Sequence, residues 1–220
     1  MVKINKSKLP QGLLIETEKD YRSDRVLEIL QEDFYDKCYI CEEKSPTSIN
    51  VEHFRSCKKF AHLKYDWENL FYACGHCNRI KGSAYDHLID CTKEDPEEYI
   101  TMRFHTYPEK SVEILAYVNK PENDETRELL DNVYNGAGTP ISVCEAKNLK
   151  KRISDEIQRF TECVENYLNE SDLKLRAVYW DCIKKMLDKE SNFAGFKRSM
   201  VIQSEEWMQY FGELLNLVNA

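Results

Sequence analysis

Two pairs of cysteines bound the stretch of sequence that decides the fold. Residues 38–83 read CYICEEKSPTSINVEHFRSCKKFAHLKYDWENLFYACGHCNRIKGS, with Cys38 and Cys41 at one end and Cys74 and Cys77 at the other. Each Cys-x-x-Cys pair can turn two thiolates toward one point, and four thiolates are a ligand set that zinc prefers. The gap between the pairs is longer than the ~15–20 residues of common zinc ribbons, so a folded element must lie between them.

Other interpretations of these cysteines are a pair of redox motifs, a set of thiols in the core, or a zinc site in which His76 replaces one thiol. The chain has nine cysteines, an odd number, and its start, MVKINKSKLPQGLL, has no apolar export signal. Both features argue against a full disulfide framework and predict a cytoplasmic chain. We predict a structural zinc ion. Its four protein ligands leave no open position, so any catalytic group must lie elsewhere.

The composition of the 220 residues predicts an α+β fold that is mostly helical. Apolar residues make up 42%, enough for a core, while only 7 glycines and 6 prolines disfavour an all-β fold. No apolar run reaches the ~20 residues that a membrane span needs. Periodicity predicts helices at 20–37, 142–168, 172–189 (capped by Ser171) and after Ser204 as far as Val218, a short helix around 124–134, strands at 50–54, 99–104 and 112–118, and a turn or helix at 67–72.

Charge is unevenly distributed along the chain, whose net charge is −8. Residues 52–83 hold six basic and three acidic residues, whereas residues 84–220 hold 17 basic and 26 acidic ones. Because each neutralised phosphate needs a cation, a nucleic-acid surface is expected in the basic segment only. The acidic part suits a protein partner. Its amphipathic stripes, ending at 207–211, predict either a docking surface or an internal core.

Between and after the cysteine pairs stand Glu52-His53, Asn69, Asn78 and Lys81. This combination resembles the HNH endonuclease family, in its subgroup with zinc-bearing cysteine pairs, from Cys38 to about Lys81. The segments VEHFRS and WENLFYACGHCNRIKGS further resemble the PtuB-like nuclease subunit of Septu-type and retron-associated antiphage systems.

The resemblance implies a small ββα-metal core with a structural zinc ion, followed by a helical C-terminal region. In that core His53 would be the general base, and Glu52 and Asn78 would hold one Mg²⁺ or Mn²⁺ ion. Asn69 would hydrogen-bond the backbone near His53. This sequence departs from the family pattern in having Glu where Asp is commoner and Asn where many members have His, so the identity of the metal stays open.

The expected phosphate contacts are Arg55, Lys58, Arg79 and Lys81. The resemblance also implies an ATPase partner of the SMC/ABC type, while the lack of a long apolar run predicts no membrane partner. DNA is the expected substrate, and RNA, such as structured tRNA, is the alternative. A different class of function also stays open, namely a non-catalytic zinc-knuckle adaptor that binds protein or nucleic acid. We predict an N-terminal helical extension at 1–37, the nuclease core at 38–90 and a mainly helical region at 91–220.

Overall fold

The computed structural model describes residues 1–118, 120–136 and 138–217. It confirms the α+β class, with about half of the chain helical and two small antiparallel sheets. The elements are α1 (Glu18–Tyr21), α2 (Asp24–Asp33), β1 (Ile49–His53), β2 (Leu70–Cys74), α3 (Gly75–Lys81), β3 (Ile100–His105), β4 (Ser111–Ala116), α4 (Pro121–Asn135), α5 (Pro140–Asn169), α6 (Leu173–Leu187), α7 (Ala194–Ile202) and α8 (Glu205–Leu217). None of the helices described is long and apolar enough to cross a membrane.

Strands β1 and β2 form an antiparallel pair that leads directly into α3. His53, the last residue of β1, lies opposite Leu70, the first residue of β2. All five residues of β2 are buried. The prediction of a turn or helix at 67–72 was therefore wrong for residues 70–72, although residues 67–69 do form a single 3-10 turn. A continuous apolar run such as LFYAC has no alternation from which a strand can be recognised.

The predicted helices are present with altered ends. Ser23 caps α2, its hydroxyl accepting a hydrogen bond from the Val26 amide at 3.4 Å. This helix ends before residue 37, because Tyr35 and Asp36 adopt positive φ values of 58° and 56°. Asp172, rather than Ser171, caps α6 through its carboxylate. Val218, predicted in the last helix, lies outside the described residues.

Helix α7 was not predicted. Its sequence, AGFKRSMVI, is buried on nearly every side, including Lys197 and Arg198. A short helix that is buried all round lacks the polar face on which periodicity arguments depend.

Two hydrophobic cores lie in the described chain. The first joins side chains of the N-terminal segment, the β1-β2-α3 unit, β3, β4, α4 and the start of α5, so it crosses the predicted limit at residue 90. The second joins the end of α5 with α6, α7 and α8. Phe211 is fully buried in it, 5.6 Å from the Tyr167 ring and 5.9 Å from the Trp180 ring. Phe211 therefore belongs to an internal core rather than to a docking surface, while the domain limits stay a prediction.

Candidate functional site

Cys38, Cys41, Cys74 and Cys77 form a buried cluster of free thiols. Their sulfur atoms all lie within 4.8 Å of one another, and the Cys41 and Cys74 sulfurs are 3.9 Å apart. A tetrahedral zinc ion with Zn–S bonds of ~2.3 Å separates its sulfur ligands by about 3.8 Å. The cluster thus fits the predicted structural zinc ion. The amide of Cys77 also donates to the Cys74 sulfur at 3.4 Å, so the start of α3 orients the second pair.

His76 is not a zinc ligand. Its Nδ1 lies 2.9 Å from a Glu145 carboxylate oxygen, and its Nε2 donates to the Val133 carbonyl at 2.9 Å. Both ring nitrogens are therefore engaged away from the sulfurs, which excludes the His76 variant of the site. The imidazole instead ties α3 to α4 and α5.

His53 lines a cavity of about 500 Å³ whose wall also contains Glu52 and Asn78. Its Nε2 lies 2.8 Å from the Lys64 carbonyl oxygen. Because a carbonyl only accepts, Nε2 carries the hydrogen and Nδ1 keeps its lone pair. Burial lowers the pKa of His53 below its ordinary value of 6.5, which favours the neutral form of the ring at pH 7. A neutral imidazole with a free Nδ1 lone pair can accept a proton.

Glu52 is ion-paired inside the protein rather than at its surface. Lys81 Nζ lies 2.8 Å from Glu52 Oε1 and also donates to the His53 carbonyl at 2.9 Å. Glu52 is 6% exposed and Lys81 0%. Burial raises the pKa of Glu52, although the Lys81 ammonium opposes this. The structure contradicts the expected phosphate contact by Lys81, because its ammonium is buried against Glu52 and the His53 carbonyl, out of reach of solvent.

One compact unit therefore contains a strand pair, the helix that follows it, a cluster of four sulfurs and an imidazole at the end of the first strand. Residues 38–84 match the model of the HNH endonuclease family. The match spans both cysteine pairs, β1, β2, α3 and His53, and it supports a nuclease enzyme in general. No curated protein and no solved structure matched the chain.

Residues 38–84, called the HNH segment below because they match that family model, contain oxygen donors suited to a hard divalent ion. Glu52 and Asn78 line the same cavity, and carboxylate and amide oxygens are the donor class that Mg²⁺ and Mn²⁺ take. Since Lys81 occupies Oε1 of Glu52, its other carboxylate oxygen would serve as ligand. The residues present fit such an ion, with few protein ligands and the rest of its shell from water and substrate.

Asn69 fixes the chain that follows His53 in the HNH segment. Its Oδ1 accepts from the Arg55 amide at 2.7 Å, and its Nδ2 donates to the carbonyls of Arg55 at 3.0 Å and Leu63 at 3.1 Å. The side chain is 5% exposed. These backbone contacts are of the kind expected for a residue that positions the loop.

The basic residues expected at phosphate are dispersed. Arg79 forms an ion pair with Glu145, and Arg55 lies over the Phe60 ring and lines a different, acidic cavity. Lys58 is exposed. None of these basic residues lines the cavity of His53 in the part of the chain that the structure describes.

Sequence reasoning did not place any residue of the N-terminal segment at this cavity. Tyr21 and Arg22, from the N-terminal segment, form part of its wall. The Tyr21 ring lies 4.9 Å from the His53 ring, edge to face. Residues more than thirty positions from His53 share no spacing pattern with it, so no local signal could have joined them.

Proposed function

We propose that this protein is a metal-dependent HNH endonuclease that hydrolyses phosphodiester bonds of nucleic acid. The observation that carries the proposal is the state of His53. Its ring lines the cavity shared with Glu52 and Asn78, and its Nε2 hydrogen is held by the Lys64 carbonyl. A neutral base beside two oxygen donors is what phosphodiester hydrolysis requires.

In the proposed reaction His53 takes a proton from water at Nδ1. The water oxygen forms a bond to phosphorus, and the ester P–O bond breaks with its electron pair on the leaving oxygen. That oxygen takes a proton from a solvent water, and the proton held by the imidazole is released to solvent afterwards. Asn69 keeps the residues after β1 in place through its bonds to Arg55 and Leu63. Displacement of the ring by even ~1 Å would cost a large factor in rate.

Glu52 and Asn78 would hold the Mg²⁺ or Mn²⁺ ion of a ββα-metal core built from β1, β2 and α3. When bound, this ion neutralises the negative charge that develops on the phosphoryl oxygens. The zinc ion is separate in this proposal and acts only on the fold.

A cleavage assay with His53→Ala tests the proposal. The zinc-loaded chain is incubated with DNA or RNA and Mg²⁺ or Mn²⁺, and His53→Ala should lower the rate by roughly 10²–10⁴-fold. His105→Ala, at a partly exposed position of β3, is the matched control and should cleave like the parent. Both variants should keep their zinc. Undiminished cleavage by His53→Ala overturns the assignment. An undiminished cellular function in that variant supports the non-catalytic adaptor instead.

We further propose that this nuclease acts in the cytoplasm as the effector of an antiphage complex and is controlled by an SMC/ABC-type ATPase. The resemblance of VEHFRS and WENLFYACGHCNRIKGS to the Septu-type subunit supports this, as does the acidic character of residues 84–220. Co-expression with the neighbouring gene should give a stable complex whose cleavage responds to ATP. A neighbour that is no ATPase would remove the antiphage proposal and leave the nuclease proposal standing.

A further inference from the structure

The N-terminal segment closes one side of the cavity that contains His53. Tyr21, at the end of α1, is 3% exposed, and its ring contacts the His53 ring at a centroid distance of 4.9 Å. Arg22 follows it and lines the same cavity. The cavity wall therefore includes residues outside the segment that matches the HNH family.

A local hydrogen-bond cluster fixes this segment. The Asp20 carboxylate accepts from the amides of Thr17 at 2.7 Å and Glu16 at 3.1 Å, and from the Thr17 hydroxyl at 2.8 Å. These hydrogen bonds lower the pKa of Asp20. Asp20, two residues before Arg22, is therefore engaged with backbone and hydroxyl groups rather than with the guanidinium.

Arg22 presents a positive charge at the cavity that has no carboxylate partner among the described residues. It is exposed, and its guanidinium carbon lies 5.0 Å from the centre of the Tyr21 ring. Among the described side chains no carboxylate pairs with it, whereas Arg25 pairs with Glu28 at 3.3 Å. A guanidinium stacked on a ring keeps its N–H edge free, and that edge matches two oxygens of a phosphate.

The charge balance around Glu52 also allows an anion to bind in the cavity. Glu52 is the only carboxylate among the described residues of the cavity wall, and Lys81 neutralises it at 2.8 Å. An approaching phosphate therefore meets Arg22, the His53 ring and the side-chain amides of the cavity wall rather than an uncompensated negative charge.

We propose, building on the proposed nuclease function, that Arg22 binds a backbone phosphate of the nucleic acid and positions the strand beside His53. Tyr21 is the platform that holds the guanidinium and packs against the imidazole. The ligand is a phosphodiester, which DNA and RNA share. The N-terminal segment is thus part of the substrate-binding site.

Binding without divalent metal tests this inference separately from cleavage. The full-length, zinc-loaded chain is titrated, in buffer free of divalent metal, against a fluorescein-labelled duplex of 20 base pairs, as DNA and as RNA, and anisotropy is read at several salt concentrations. Arg22→Ala should weaken binding about tenfold. It should also reduce the slope of log affinity against log salt by roughly 0.9, the value of one phosphate contact on DNA.

Arg25→Ala is the matched control, since it removes an exposed arginine that is already paired, and it should bind like the parent. Arg22→Lys keeps the positive charge without the forked guanidinium, so its affinity should fall between that of the parent and that of Arg22→Ala. Equal affinity and salt slope in Arg22→Ala and Arg25→Ala would overturn the inference, as would a parent chain that binds neither duplex at low salt. A parent chain that binds through Arg22 but never cleaves with Mn²⁺ would overturn the nuclease proposal alone. The duplex with the larger Arg22 effect identifies the nucleic acid.

Discussion

Lys81 Nζ lies 2.8 Å from Glu52 Oε1 in the interior of the protein. The same ammonium donates to the His53 carbonyl at 2.9 Å, so one side chain of α3 holds both of the last two residues of β1. The pair has given up its hydration, and such a pair tolerates the loss of one partner badly, because the other charge is left uncompensated.

Lys81→Met should therefore lower the free energy of unfolding by about 3–5 kcal/mol. Urea denaturation of the zinc-loaded protein at pH 7 measures this. The double variant Glu52→Met/Lys81→Met replaces the pair with apolar side chains and should recover most of the loss. Lys93→Met removes an exposed lysine paired with Asp90 at 3.0 Å and should change stability by no more than ~1 kcal/mol. A Lys81→Met protein as stable as Lys93→Met would show that the buried pair is not held as described.

Sequence spacing was sufficient to predict those features of the fold and the site that depend on residues close together in the chain. The Cys-x-x-Cys pairs predicted a four-sulfur cluster, because each spacing of three places two sulfurs together. Ser23 predicted the start of α2 for the same local reason. The burial of Lys81 also had a signal that the prediction did not use. Lys81 lies four residues after Cys77, a buried zinc ligand, and therefore on the inner face of α3.

Features that depend on distant segments could not be predicted in this way. The Lys64 carbonyl that orients His53 and the Tyr21 ring that contacts it come from a loop and from the N-terminal segment. Backbone carbonyls have no residue-type signature, and an aromatic residue before a helix cap is usually interpreted as packing. The folded arrangement alone brings these groups to the imidazole.

The cysteine cluster predicts one zinc ion per chain and a fold that depends on it. Cys74→Ser should lower the zinc content, and removal of zinc by a strong chelator should lower the melting temperature by at least about 10 °C. Cys144→Ser, which removes an exposed cysteine outside the cluster, should keep both values. Elemental analysis and thermal unfolding are the measurements. A chelated chain that melts like the parent would contradict a structural zinc ion.

Asn69→Ala removes three hydrogen bonds between one buried side chain and the backbone of Arg55 and Leu63. We expect a loss of about 2–3 kcal/mol in the free energy of unfolding and faster hydrogen exchange at the Arg55 amide. Cleavage should fall although His53 is intact, because the chain after the imidazole is no longer fixed. Asn166→Ala, at an exposed position of α5, should change neither property. Protection at Arg55 that survives Asn69→Ala would contradict the role.

Lys197, on α7, predicts an unusual dependence of stability on pH. It is 1% exposed, and its ammonium lies 3.6 Å from Glu156 on α5. Burial lowers the pKa of Lys197 to about 8, with a smaller contribution from Lys37 in the same direction, while Glu156 and Glu42 oppose it. In the unfolded chain the pKa is near 10.5, so between pH 8 and about 10.5 the unfolded state binds more protons.

The free energy of unfolding of the parent should therefore rise through that window relative to a Lys197→Met variant. At pH 7 Lys197→Met should be the more stable protein, by up to about 3 kcal/mol, because the charged form of a buried lysine is unfavourable. The loss of Lys197 does not leave Glu156 without a partner, because Glu156 is also paired with Arg159. The advantage should shrink toward pH 10.5, measured by urea denaturation at each pH. Lys184→Met, at an exposed position of α6, should show a difference from the parent that does not change with pH. A constant gap for Lys197→Met across the window would mean that the lysine is not held in a desolvated site.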